Sequence, residues 1–419
     1  MTPTLRRPSA HDCRMRLHKM LIVQTDSDKR RLSKSVNAAP KPCCIASGNK
    51  SLPELAKGPA RAFNYHNNNT LGGSSMSWGI FSRRAVFGLA CLASAQAHAQ
   101  DAGQFFADKT INFLVASGPG GGYDMYARLL TRHFGRNIPG NPSFAVQYLP
   151  GGGGIVAANN LYGLSKKDGT VMGLLASSTF LLAAVGDQHT KFENLKFTFI
   201  GNMNEEADTC SVWHTTGIKS VADLKSREVI IGTAGVGSNS HTFPVGMNAV
   251  IGTRFKPIPG YSGGAQIRTT AMERGELHGS CGIFVSTLGA QFGQPLAEGK
   301  LNVVLQMGLT RHPKYKDVPN ALELASDDVG RQSLELLFAQ LALGRPILAP
   351  PDVPQDRAAL LSKAFQETMR DPQFLAEAEK TNVETRWFDG ARMRDVMTKM
   401  ESAPAPIKAR VKAILDQQS

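Results

Sequence analysis

From residue 110 onward, short apolar runs alternate with stretches whose apolar residues recur every three or four positions. Ile111–Ala116 has the length of a strand. It passes through Ser117-Gly118-Pro119-Gly120-Gly121-Gly122 into Tyr123–Phe134, where Tyr126, Leu129, Leu130 and Phe134 fall on one helical face. The figure repeats at Phe144–Tyr148, which ends in Pro150 and the glycines Gly151 to Gly154 before a helix through Leu161. Val171–Ala176 predicts a third strand, closed by Ser177-Ser178-Thr179. A second unit opens around Val212, and Val229–Ile231 leads through Gly232-Thr233-Ala234-Gly235-Val236-Gly237-Ser238-Asn239-Ser240-His241 toward a helix. Prolines break Phe255–Ile258, and Gly260-Tyr261-Ser262-Gly263-Gly264 opens the helix Ala265–Arg274. Cys281–Val285 and Leu301–Met307 read as further strands. Pro354–Arg370 and Pro372–Lys380 read as amphipathic helices.

Strands that alternate with helices predict an α/β fold with largely parallel sheets. The helices after Pro354 are expected to return to the first unit. That makes lobe 1 discontinuous, at 100–211 plus 340–419, with lobe 2 at 212–339 and the connections as a hinge. Three strands of the first lobe end in loops of Gly, Ser and Thr. Ligands of open α/β sheets sit beyond the carboxyl ends of the strands, and helix N-termini there offer free N–H groups and a partial positive charge. The first lobe therefore looks built to hold a small anionic group with its backbone.

The net charge of +13 first suggests a polyanionic partner, until it is located. Residues 1–99 hold 15 Lys/Arg against 4 Asp/Glu, which leaves 32 against 30 for the rest. The basic surplus belongs to the leader, and no Lys/Arg stripe in the body argues for nucleic acid. Residues 1–75 carry no sustained apolar period and are expected to be a mis-called or disordered extension, with Met76 as the start. At 76–99, Arg83 and Arg84 precede the apolar stretch Ala85–Ala95 and the small-x-small site Ala97-His98-Ala99, the pattern of a signal peptide. Ser82-Arg83-Arg84-Ala85-Val86-Phe87 partly matches a twin-arginine signal, so export by either the Sec or the twin-arginine route is expected. Cys210 and Cys281 are the two cysteines beyond the leader. In an oxidising compartment they form either a disulfide or two buried thiols. No Cys/His cluster suggests a metal.

Gly118–Gly122 is not a phosphate loop, because Tyr123-Asp124 stands where Lys-Ser/Thr is needed. It also lacks the third glycine of the dinucleotide fingerprint. No cofactor is expected. Asp124 is either a favourable acid in a first helical turn or a group that orients a ligand. His241 is a hydrogen-bond donor, a helix-start residue or, least well supported, a base. Gly260-Tyr261-Ser262-Gly263-Gly264 matches the Gly-x-Ser-x-Gly nucleophile elbow literally, and a secreted serine hydrolase is the alternative it raises. Its context is poor, since Pro257 and Pro259 break the preceding strand and the triad would have to run through Glu298 and His312.

Gly118-Pro119-Gly120-Gly121-Gly122-Tyr123-Asp124, Ala127-Arg128, Leu149-Pro150-Gly151-Gly152-Gly153-Gly154 and Lys167-Asp168-Gly169-Thr170 resemble the receptor family of tripartite tricarboxylate transporters, the TctC or Bug proteins. Gly235-Val236-Gly237-Ser238-Asn239-Ser240-His241, Glu273-Arg274-Gly275-Glu276 and Ala349-Pro350-Pro351 continue the order. The resemblance spans roughly residues 104–410. It implies a two-lobed fold of the type II periplasmic-binding-protein kind, each lobe a mostly parallel sheet flanked by helices, with a ligand cleft between them. It implies a monomeric, non-enzymatic periplasmic receptor that closes on a di- or tricarboxylate, an amino acid or an aromatic acid and passes it to inner-membrane permease subunits. A sensor that touches a signalling protein instead differs only in partner. Carried onto this chain, the ligand carboxylate falls to Gly120, Gly121, Gly122, Tyr123 and Asp124. Supporting contacts fall to Gly152, Gly153, Ser177 and Ser178, and across the cleft to Gly237, Ser238 and His241. Tyr123, His214, Cys210 and Cys281 depart from the family's pattern.

Overall fold

The computed structural model of the chain describes residues 104–261 and 265–417. The leader, the signal peptide expected at 76–99 and Ser262 of the Gly-x-Ser-x-Gly match lie outside the described residues. In chain order the first strands are β1 (Thr110–Val115), β2 (Ser143–Tyr148), β3 (Val171–Leu174) and β4 (Thr198–Asn202). They continue with β5 (Asp208–Trp213), β6 (Val229–Thr233), β7 (Phe255–Pro259), β8 (Gly279–Phe284) and β9 (Leu301–Met307), and end with β10 (Pro346–Ala349) and β11 (Phe388–Asp389).

The strands form two sheets, in the orders β11-β4-β10-β3-β1-β2 and β7-β6-β8-β5-β9. In the first, β1 pairs in parallel with β2 and β3, while β10 runs antiparallel to both β3 and β4. In the second, β6 pairs in parallel with β7 and β8, while β5 runs antiparallel to β8 and β9. Each sheet is thus mixed, with a parallel majority interrupted by reversed strands. Two of the reversed strands, β5 and β10, are where the chain changes sheets, while β11 is reversed at the edge of the first sheet. β5 enters the second sheet at Asp208, four residues before the crossing expected at 212, and β10 carries the chain back.

Local sequence explains the elements. Helix α1 (Gly122–Asn137) buries Tyr126, Leu129, Leu130 and Phe134 on one stripe, and Asp124 lies in its first turn, where an acid is favoured. β3 and β10, in the interior of the first sheet, are buried at every position, whereas the edge strand β2 is not. The proline-broken stretch at 255–258 is a strand after all. As β7 it lies at a sheet edge, where Pro257 and Pro259 sit opposite Ile231 and Thr233. Prolines are tolerated at an edge because one side of the ladder is unused.

Cys210 on β5 and Cys281 on the neighbouring β8 are joined by a disulfide, with Cα atoms 4.0 Å apart. The open alternative of the sequence is settled in favour of the bridge. The two segments that cross between the sheets run side by side. Met203 N–H donates to the Arg345 carbonyl at 3.0 Å, Arg345 N–H to Asn202 Oδ1 at 2.9 Å, and Glu206 N–H to the Leu341 carbonyl at 2.9 Å. Among the described residues, no helix is long and apolar enough to cross a membrane.

Candidate functional site

A cavity of about 340 Å³ lies where loops from both sheets converge. Its walls come from the loops after β1, β2, β3, β6 and β8 and from the helices those loops open. These are carboxyl ends of parallel strands, the place where open α/β sheets bind ligands.

On the first-sheet side the lining is mostly main chain. Gly121 caps α1, and Gly122 and Tyr123 begin it, so their N–H groups have no partners within the helix. Gly120 takes φ of +82°, and its N–H donates to Asp124 Oδ2 at 2.7 Å. Asp124 Oδ1 accepts from Arg128 Nε at 2.7 Å and from the Tyr148 hydroxyl. Burial pushes the Asp124 carboxyl up, but the bonds from Tyr148, Gly120 and Arg128 outweigh it and hold it below its ordinary range. Gly120 and Asp124 thus brace the loop from behind, and neither is among the cavity-lining residues. Tyr123 does line the cavity. Its hydroxyl accepts from Ser177 N–H at 3.1 Å, and burial raises its pKa against the pull of Arg345.

The glycine run after β2 meets the second sheet directly. Gly153 takes φ of +61°, and a Cβ there would lie 2.2 Å from the Gly237 carbonyl carbon and 2.6 Å from Ser238 N. Two backbones approach so closely only because neither residue carries a side chain. Gly152, Gly153 and Ser178 line the cavity on one side and Ser238 on the other. Ser178 Oγ donates to the Gly153 carbonyl at 2.8 Å. Ser177 stands behind the lining and accepts a long bond of 3.4 Å from Asn239 Nδ2, which links the two sides. Gly237 supplies the contact rather than the wall. His241 is buried in the first turn of α5 (Asn239–Ile251) and is not among the lining residues. His214 is exposed in the turn after β5, away from the lining.

Two arginines in the lining were not singled out from the sequence. Arg345 is fully buried. Its guanidinium carbon lies 4.7 Å from the ring centre of Tyr123 and 4.4 Å from those of Tyr126 and Phe284, a cation–π cage. Nη2 lies 3.4 Å from Glu206 Oε1, which also accepts from Ser286 Oγ. Burial pushes the Glu206 carboxyl up, while Arg345 and Ser286 pull it down. Arg268 comes from α6 (Ala265–Glu273), the helix after β7. Its Nη1 donates to Ser280 Oγ at 3.2 Å, and its Nε is buried without a partner. Neither residue sits in a glycine loop, so only its position in the folded chain marks it. Above Gly122, a Cβ would meet Arg345 Nη2 at 3.0 Å and Gln291 Nε2 and Thr287 Oγ1 at 3.1 Å. Polar tips from α7 (Val285–Ala297) and from the β10 crossing therefore face the start of α1.

The hydrolase alternative fares poorly in the parts that are described. Glu298 pairs with Lys300 at 2.7 Å, whereas His312 Nε2 faces Glu384 at 3.8 Å. The Glu298–His312 pairing a triad would need is not made. Among the described residues, no group of three or more His, Cys, Asp or Glu side chains could hold a metal ion.

No family model matches the chain, and no curated protein matches it. Solved structures do. A TctC solute-binding protein from Polaromonas is 20% identical, over 74% of this chain and 98% of its own, with a TM-score of 0.51. The periplasmic binding protein BugD is 18% identical, over 75% and 96%, with a TM-score of 0.54. MatC from Rhodopseudomonas palustris, solved with bound malate, is 17% identical, over 73% and 99%, with a TM-score of 0.56. The chain has the two-lobed α/β fold of the TctC and Bug periplasmic solute-binding proteins.

Proposed function

We propose that this chain is an exported periplasmic receptor of the TctC/Bug family that captures a small carboxylate between its lobes. One observation carries the reading: a small cavity lined both by the main chain of a helix start and by the guanidinium groups of the buried Arg345 and the half-buried Arg268. Backbone donors fixed by a helix start cost little side-chain entropy when they bind an anion. Bonds to an ionised acid are the stronger kind, and a desolvated cleft strengthens them further. At about 340 Å³ the cavity lies at the small end of ligand sites, which span roughly 300–1,000 Å³. MatC, a structure of the same fold, is described with malate, a small carboxylate.

On this reading lobe 1 comprises residues 104–207 and 340–417, and lobe 2 comprises 208–339. The paired crossings near 203–207 and 341–345 are the hinge, and closure about them brings the walls together over the acid. Delivery to inner-membrane permease subunits, a monomeric state and a signal peptide at 76–99 complete the proposal.

The test is a thermal-shift screen of the protein from Gln100 onward against small carboxylates, amino acids and aromatic acids, with p-nitrophenyl esters run in parallel. The reading predicts saturable stabilisation by one acid class, growing with the logarithm of ligand concentration above Kd. Ester turnover that disappears on Ser262→Ala, with no stabilising acid, would replace it with the hydrolase.

A further inference from the structure

We infer that the Cys210–Cys281 disulfide is a positioning device for the cavity. It locks β8 in register at the one point of β5 where both neighbouring ladders shift, and so holds Gly282, Ile283 and Phe284 in the second-lobe wall.

Strand β5 lies between β8 and β9. Against β8, Thr209 pairs with Ile283 and Ser211 with Ser280, so Cys281 and Gly282 together stand opposite Cys210. Against β9, Cys210 pairs with Leu305 and Ser211 with Val303, which leaves Val304 over. Both neighbours thus carry an extra residue at the same point of β5. A bulge of this kind leaves a residue unpaired, disrupts the ladder locally and bends the strand. In β8 it also changes which way the later residues face. Cys281 packs in the core with Phe243 and Met247 of α5, whereas Ile283, two residues on, packs with Met272 of α6 and Phe292 of α7. In an unbroken strand those two side chains would share a face.

The re-aimed segment is the part of β8 that the cavity uses. Gly282, Ile283 and Phe284 all line it. Gly282 takes φ of +73°, and a Cβ there would lie 2.3 Å from Ser240 Cα, so the bulge is seated against the start of α5. Phe284 supplies one ring of the cage around Arg345. A slip of one residue would carry every one of these side chains to the opposite face. Backbone pairing specifies the register least where the ladders are interrupted on both sides. A covalent link placed at that point removes the alternatives. Both cysteines are buried, which denies outside thiols the access that exchange requires and makes the link a fixed element.

The experiment is hydrogen exchange of the full-length protein, read on peptides, for the wild type and for Cys210→Ala/Cys281→Ala. A second variant, Cys210→Val/Cys281→Ala, restores apolar volume without the link. Exchange should rise on the order of 100-fold at residues 279–284 and 238–242 in both variants, as a local opening does. It should change by less than about 3-fold in β1 and in the helix Asp328–Ala339, which keep their own hydrogen bonds. Unchanged exchange at 279–284 would overturn the proposal, since the register would hold without the bridge. A rise of equal size in Asp328–Ala339 would also overturn it, because the bridge would then only add stability to the lobe. If neither variant folds, the wild type is refolded in dithiothreitol and read in the same way. Failure of that form as well would make the bridge a requirement of folding and not a device of the cavity. Exchange reads the wall itself, so the result is independent of which compound fills the cavity and of the receptor reading.

Discussion

On the first-lobe side of the cleft the lining is mostly main chain, drawn from Gly121, Gly122 and the glycines after Pro150, with the side chains of Tyr123, Ser178 and Arg345 beside it. On the second-lobe side it includes the side chains of Arg268, Thr287 and Gln291. The first wall presents N–H groups that any carboxylate satisfies. The second presents groups whose length, charge and direction depend on residue type. Main chain positioned by helix starts is a general device for anions, while side chains across the cleft choose among them. If the cleft holds an acid as proposed, affinity and selectivity are divided between its walls, and substitutions on the two sides are expected to fail in different ways.

The largest effect is expected where the walls touch. Gly153→Ala puts a methyl 2.2 Å from the Gly237 carbonyl carbon and holds an L-residue at φ of +61°. The left-handed conformation alone costs about 1–2 kcal/mol, and separating the walls weakens every bond made across the closed cleft. Affinity should fall on the order of 100-fold for all acids alike, roughly 3 kcal/mol in total. Titration with two acids that bind the wild type checks this. A loss confined to one of them would show that Gly153 selects, and the division of labour between the walls would not hold.

Arg345→Met comes next and concerns stability. It strands the buried Glu206, which is otherwise answered by the Ser286 hydroxyl. Removing one partner of a buried pair costs about 3–5 kcal/mol, read as a fall in the urea midpoint at unchanged slope. Glu206→Gln in the same background should recover much of it. If Arg345→Met leaves stability unchanged, Glu206 is already neutral and Arg345 is as available to a ligand as Arg268. The contrast between the two cations would then collapse.

Sequence reading reached the glycine loops of both walls and not the arginines, for a physical reason. Gly118–Gly122 and Gly151–Gly154 end apolar runs, and a glycine-rich strand end is a local signal; Gly121, Gly122, Gly152 and Gly153 lie at the cavity. Gly237 and Ser238 carried the same signal on the far side. Arg268 sits inside an ordinary helix and Arg345 precedes an ordinary strand, and nothing within ten residues tells either from a solvated cation. Their meaning comes from Ser280, Glu206 and Phe284, brought near by strand pairing. The Cys210–Cys281 bridge was open for the same reason, as adjacency of β5 and β8 spans 71 residues. Asp124 shows the converse. Its neighbourhood marked it as important, but its carboxylate faces Gly120, Arg128 and Tyr148 behind the loop rather than the cavity.

Asp124 therefore gives the smallest predicted effect and a sharp one, because it concerns how the first wall is held in place. Its folded pKa lies below the ordinary 3.8. A depressed carboxyl adds stability that is fully present above the unfolded value and is lost as pH falls through the folded one. Asp124→Asn should thus destabilise the protein by about 1 kcal/mol near neutral pH, the scale of a single partly buried hydrogen-bonded group. The gap between wild type and variant should stay constant down to about pH 4 and close below 3.8, in thermal melts across that window. Ligand affinity should fall only a few-fold, since the loop loosens without losing a contact to the acid. A fall as large as that of Gly153→Ala would bring Asp124 out from behind the wall and into the site.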